Sequence, residues 1–166
     1  MSEPLEKHLP TFIGHLQEKG RSPSTILAYR SDIEQLNDYL ANSRNKPLPE
    51  QILSEDLESF RDYLLSEKYT AKSTSRKLNA VKTFFRWLKD QNHVVEDHSK
   101  DVSHPKIESS APKYLSPLEY RALRDVVRND TRIAAIVELI LQTGMRISEV
   151  ANLKLHHVKT EVVIIE

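Results

Sequence analysis

Through the first half of the chain, apolar residues recur every three or four positions, the period of a helix with one buried face. Leu9, Phe12, Ile13 and Leu16 mark a short amphipathic helix over Leu5 to Glu18, closed by Gly20. Ser22-Pro23-Ser24 is a start signal, a capping hydroxyl followed by proline at an early helical position. Behind it Ile26, Tyr29, Ile33, Leu36 and Leu40 form one continuous stripe. Pro47 and Pro49 break the pattern. Ser54 is the expected cap of a third helix, with Leu57, Phe60, Tyr63 and Leu64 inward. Its early acids Glu55, Asp56 and Glu58 suit the positive end of the helix dipole. A fourth helix is expected from about Lys72 to Asp90, along the line Leu78, Val81, Phe84, Phe85 and Leu88. Four such helices predict a bundle over residues 1–95.

From Gln91 to Ala111 the periodicity fails and polar residues take over, so residues 96–113 read as an interdomain linker. Order restarts at Ser116-Pro117-Leu118-Glu119, a capping hydroxyl, a proline and a glutamate at the capping-box position. The helix that follows should turn Leu118, Leu123, Val126 and Val127 inward. Ile133 to Leu141 is apolar on almost every side and predicts a buried helix, capped by Gly144. Ile147, Val150 and Leu153 mark a short amphipathic turn, and Val162 to Ile165 reads as a buried strand without a partner in the sequence. Residues 114–166 are thus the start of a second domain, and the fold class is mainly α.

Composition narrows the function. The 166 residues contain no cysteine, which excludes disulfide scaffolds, thiolate zinc sites and cysteine nucleophiles. Ile133–Leu141, interrupted by Glu138, is too short to cross a bilayer, and the amino terminus has no signal-peptide core. These features predict a soluble, cytoplasmic protein with no membrane partner. The net charge is zero, 24 basic against 24 acidic residues, yet the charges are segregated. Lys68 to Lys89 carries seven basic residues and no acid, while Glu50 to Glu67 holds six acids and only Arg61. A polyanion meets one face of a protein, not its average.

On the fourth helix Lys72, Arg76, Asn79, Thr83 and Arg86 lie opposite the core, and Lys77, Lys82 and Lys89 flank the buried stripe. Arginine and asparagine are the side chains that pair with guanine and adenine edges, and cations and hydroxyls suit phosphates. A solvated cationic face is the competing account. In Thr143-Gly144-Met145-Arg146-Ile147-Ser148-Glu149, an arginine follows directly on a rigid helix end, where its planar fork can grip a phosphate. Its competing account is a local ion pair with Glu149.

Four stretches together resemble the tyrosine recombinase (phage integrase) family, in that family's order. Leu141-Gln-Thr-Gly-Met-Arg-Ile-Ser-Glu-Val-Ala-Asn-Leu153 is similar to its first catalytic-arginine motif. Ser73 to Leu88 is similar to the last long helix of its core-binding domain, and Ser22 to Tyr29, with Asp32, to that domain's second helix. Tyr114 to Glu119 resembles the entry to its catalytic domain. The compact form is closer to the Xer-type members than to larger integrases.

The resemblance implies a SAM-like core-binding bundle of four helices, a linker, and the helical start of an α+β catalytic domain. It implies double-stranded DNA as partner, a clamp of two domains around the duplex, and self-association on DNA through a carboxy-terminal part. Arg146 would contact the scissile phosphate, and Glu149 would support it. Contacts to DNA would come from Ser24, Thr25, Lys72, Thr74, Arg76, Lys77, Asn79, Lys82, Thr83 and Arg86, with Arg76 foremost. A tyrosine would attack the phosphate and form a 3′-phosphotyrosyl link, without metal, ATP or other cofactor.

The family's catalytic lysine, its His-x-x-Arg motif and its nucleophile all follow the arginine motif. Here the six tyrosines, at 29, 39, 63, 69, 114 and 120, all precede Arg146. The expectation is therefore a recombinase fragment that binds DNA without cutting it. The alternatives are a non-catalytic DNA-binding regulator derived from a recombinase, or a helical domain whose basic stripe meets an acidic protein. His156-His157 reads as a surface turn, not a metal site, because adjacent side chains diverge. Trp87 reads as a bundle residue, and the acids Glu58, Asp62 and Glu67 as a solvated helix face.

Overall fold

The computed structural model describes residues 3–43, 47–108 and 111–158. It divides into two compact units, Met1–Ser109 and Ser110–Glu166.

The first unit is built from four α-helices, α1 (Leu5–Glu18), α2 (Pro23–Ser43), α3 (Ser54–Ser66) and α4 (Ala71–Asp90). Local chemistry sets their ends. The Ser22 hydroxyl accepts the Thr25 amide (3.3 Å) at the start of α2, and Thr70 accepts the Ser73 amide (3.2 Å) at the start of α4. The start of α3 departs from expectation. Its cap position is Leu53, whose amide donates to the Asp56 carboxylate (2.9 Å), and Ser54 instead donates to the carbonyl of His98 (3.0 Å). The cap function passed from a hydroxyl to an acid because the serine is needed in a tertiary contact.

Three helices of this unit end alike. Gly20, Lys68 and Asn92 have φ near +60° to +68°, and the residue after each donates back to the carbonyl five positions earlier. This is the Schellman closure, which satisfies carbonyls a helix end would otherwise leave open. The buried stripes converge on a core that runs from Leu5, Phe12 and Leu16 through Leu36, Phe84 and Leu88 to Leu57 and Phe60. Phe12 packs edge-on to Phe84 at 5.0 Å between centroids, and Trp87 stacks over Phe84 at 6.0 Å. At the far end Tyr39 lies against both Phe60 (5.4 Å) and Tyr63 (4.8 Å). Trp87 is thus a core residue.

Part of the expected linker belongs to this bundle. Val94 and Val102 are buried in its core, and a 3-10 turn, His98–Asp101, connects them. Lys82 Nζ donates to the Val102 carbonyl (2.7 Å), and Arg61 donates to the carbonyl and hydroxyl of Ser103 (3.3 and 3.0 Å). Polar residues dominate the stretch because Asp97 and Ser99, both buried, hydrogen-bond each other within the turn.

In the second unit α5 (Pro117–Val127) starts with the capping box expected from sequence. Ser116 Oγ accepts the Glu119 amide and Glu119 accepts the Ser116 amide (3.3 and 2.8 Å). α6 (Thr131–Thr143) begins on the Asp130 carboxylate and ends at Gly144, φ +69°, followed by α7 (Ile147–Ala151) and a 3-10 turn, Leu155–His157. The expected burial is not met. No side chain of α6 is fully buried, and on α5 Leu118 and Val126 are 77% and 81% exposed. Among the described residues of this unit, only α5, α7 and short turns are available to cover α6. The expected strand Val162–Ile165 lies outside the described residues.

Candidate nucleic-acid interface

The first turn of α2 and the middle of α4 enclose a groove of about 360 Å³ lined by Ser24, Thr25, Ala28, Tyr29, Asp32, Arg76, Asn79 and Ala80. Small side chains at Ala28 and Ala80 keep it open, and polar groups of both helices line its rim. Ser24, Thr25, Arg76 and Asn79, distant in sequence, thus share one surface. Lys72 and Arg86 extend it along α4 in steps of three and four residues, which keeps them on one helical face. Both are exposed and make no hydrogen bond or ion pair among the described residues.

Below the groove lies a buried carboxylate. Asp32 is 1% exposed, and three donors converge on it. Arg76 Nη1 reaches Oδ2 at 2.6 Å and Nη2 reaches Oδ1 at 3.1 Å, a two-toothed fork, while Lys77 Nζ reaches Oδ1 at 2.9 Å. The Lys77 ammonium also sits 5.2 Å from the centre of the Tyr69 ring, whose hydroxyl accepts from Gln35 of α2 (3.2 Å). An unpaired carboxylate here would be costly, so two cations on one anion are expected. The group carries one net positive charge.

This geometry corrects several expected contacts. Thr74 is completely buried, on the α4 face that meets the core, and cannot reach a ligand. Lys77 is buried too, its charge committed to Asp32. Lys82 is half-buried and spends its ammonium on the carbonyls of Val102 and Lys100, so it fastens the segment after α4. Thr83 turns its hydroxyl back to the Asn79 carbonyl (2.7 Å), a bond within the helix. Arg76 remains 54% exposed along its side chain although its fork is occupied. Asp32 was singled out only through a resemblance, yet it carried its own signal. It lies beside Ile33 in the register of Tyr29 and Leu36, and an acid in an apolar stripe must find cations.

In the second unit Arg146 occupies the cap position of α7. Its amide donates to Glu149 Oε2 (2.7 Å) and its guanidinium to Oε1 (2.9 Å), so the local ion pair weighed from sequence does form. The amide bond, with the guanidinium second, holds the Glu149 carboxyl below the usual carboxylate range. The Arg146 side chain is 82% exposed and keeps further N–H groups for an incoming anion.

Similarity to solved structures defines the class of the fold. The chain superposes on a lambda integrase from a tetramer bound to a Holliday junction with a TM-score of 0.81 at 18% identity, covering 99% of this chain and 48% of that one. The Tn1549 transposon integrase in complex with circular intermediate DNA gives a TM-score of 0.70, also at 18% identity, over 99% of this chain and 54% of that one. At these identities the likeness establishes a mainly α, integrase-type fold.

Sequence then supplies the family. Residues 9–92 match the phage integrase N-terminal SAM-like domain, and the chain belongs to that family. Curated relatives include tyrosine recombinase XerC of Roseiflexus sp. (strain RS-1), 31% identical over 91% of this chain and 50% of its own length. Tyrosine recombinase XerD of Haemophilus influenzae (strain ATCC 51907 / DSM 11121 / KW20 / Rd) is 32% identical over 87% of this chain and 49% of its own. The chain spans about half the length of the curated relatives it matches. Among the described residues, no helix is long and apolar enough to cross a membrane.

Proposed function

We propose that this chain is the amino-terminal, DNA-binding part of a site-specific tyrosine recombinase. The observation that carries the reading is the groove between α2 and α4, which gathers Ser24, Thr25, Arg76 and Asn79 beside Lys72 and Arg86, cations unpaired among the described residues. Hydroxyls and cations around a pair of base-reading side chains match what a major groove presents. Names of relatives and solved neighbours, recombinases and DNA-bound integrases, point the same way.

Arg146 and Glu149 take the roles implied by the arginine motif. Arg146 donates to the scissile phosphate, where negative charge grows in the transition state, and Glu149 fixes its rotamer from below. In the full reaction a tyrosine hydroxyl attacks that phosphorus, forming the 3′-phosphotyrosyl bond and releasing a 5′-hydroxyl. Rejoining reverses the step, so the phosphodiester energy is conserved and ATP is not consumed. Tyr29 and Tyr39 pack against the bundle core, which leaves them a structural role. The chain binds duplex DNA, with a core-binding part at 1–95, onto which the segment through Ser103 packs, and a catalytic part at 114–166.

The test is binding to duplex DNA across salt concentrations. Binding should weaken steeply as salt rises, with a slope near −0.9 per phosphate neutralised. The double substitution Lys72→Ala and Arg86→Ala should reduce that slope by about 2 and leave thermal stability unchanged. A folded chain that fails to bind DNA at low salt would overturn the reading and favour an acidic protein partner.

A further inference from the structure

We infer that Asp32 is a positioning residue for base recognition, holding the Arg76 guanidinium in the one orientation from which it reads a guanine. The inference rests on the DNA-binding reading of the α2–α4 groove.

An exposed arginine that serves only as a counter-ion needs no fixed pose, since a phosphate accepts it from many directions. Arg76 is held otherwise. Its two terminal nitrogens are pinned end-on by a carboxylate that is itself 1% exposed and cannot turn away. Lys77 Nζ, buried on the same carboxylate, fixes it from the other side. The guanidinium plane is thereby set by two helices, while half of the side chain stays open to the groove. The fork uses one N–H of each terminal nitrogen, leaving a second on each, and Nε–H, to donate outward. Guanine O6 and N7 are the acceptors such a rigid, directional donor distinguishes from other bases, and Asn79 stands one turn further along the same exposed face.

The arrangement separates geometry from charge. Removing Asp32 deletes a negative charge near the DNA, so simple electrostatics makes every duplex bind more tightly. A positioning role makes the preferred duplex bind less tightly.

The experiment selects preferred duplexes from a randomised pool with the wild-type chain, then measures preferred and scrambled duplexes at fixed salt. Asp32→Asn should lower affinity for the preferred duplex about tenfold and leave the scrambled one equal or tighter. Arg76→Lys leaves Asp32 paired with cations, so it tests the idea even if the asparagine variant does not fold. It should lose the guanine preference at one position with an unchanged salt slope. Equal losses on both duplexes, or an unchanged guanine preference in Arg76→Lys, would overturn the positioning role while the DNA-binding reading stands. A wild-type chain that binds no duplex would instead remove the reading beneath it.

Discussion

The two units contain similar helices but treat their apolar side chains differently. In the first, the stripes of four helices and two flanking valines close on one another, and Phe12, Phe60, Phe84 and Leu36 are fully buried. In the second, α5 and α6 are as well capped, yet Met145 is the one buried apolar residue among those described. Good caps fix where a helix begins and ends. They do not supply the partner that covers its face, and most helical stability comes from that partner. The α2–α4 groove of the first unit can be rigid because the helices that line it are held by a closed core.

The largest test of this contrast is truncation of one apolar residue in each unit. Phe84→Ala removes a buried ring that touches Phe12, Phe85 and Trp87, and should cost about 3–5 kcal/mol. Val126→Ala, on an exposed face of α5, should change stability by less than about 0.5 kcal/mol. Urea unfolding followed by circular dichroism measures both. Similar costs at the two positions would mean that the second unit packs as tightly as the first.

Acid should also separate the units. His8 is buried with its ring 4.4 Å from that of His93, and desolvation, then the charge of His93, lowers its pKa below the ordinary 6.5. Its neutral form is the one that fits, so the unfolded chain takes up a proton first as pH falls. This contribution to stability is full above about pH 6.5 and is lost as pH falls through the lowered folded value. In the second unit Glu119 and Glu149 are the shifted groups, both held below the ordinary 4.5 by hydrogen bonds from the backbone at Ser116 and Arg146. Their contribution is full above about 4.5 and fades only at lower pH. Trp87, the single tryptophan, lies in the core of the first unit and reports on it alone. Its urea midpoint should fall between pH 7.5 and 5.5, and His8→Gln should flatten that fall. A midpoint equally steep in the variant would assign the acid sensitivity to another group.

What could be read from sequence follows the same division. α1 spans the predicted Leu5–Glu18, the apolar stripes of the bundle lie where the period places them, and the Ser116–Glu119 capping box of α5 forms as expected, because helix period and cap chemistry are local. Burial of α6 was misread because an all-round apolar helix states a need for neighbours and says nothing of whether they are near. Residues 94–102 were misread because two valines in a polar stretch carry no period, and only the folded bundle shows the gap they fill. At the groove, helical phase placed Lys72, Arg76, Asn79 and Arg86 outward. Thr74 has the phase of the buried stripe and was expected at the DNA only through the resemblance. Lys77 flanks the stripe, where phase alone is too coarse to tell a buried residue from a surface one.

The smallest effect concerns a helix end that no sequence rule announced. Gly20 closes α1 in the left-handed region at no steric cost, but Lys68 closes α3 in the same region with φ +64°. A side chain there brings Cβ against the following carbonyl, a strain of about 1–2 kcal/mol that glycine avoids. Glycine in turn gives the unfolded chain more freedom, which offsets about half of that gain. Lys68→Gly should therefore stabilise the first unit by about 0.5–1 kcal/mol, seen as a higher urea midpoint of Trp87 fluorescence. Lys68 is exposed and stands outside the groove, so DNA affinity should change no more than loss of one peripheral cation allows. A lower midpoint would mean that the lysine at this turn makes a contact worth more than the strain it carries.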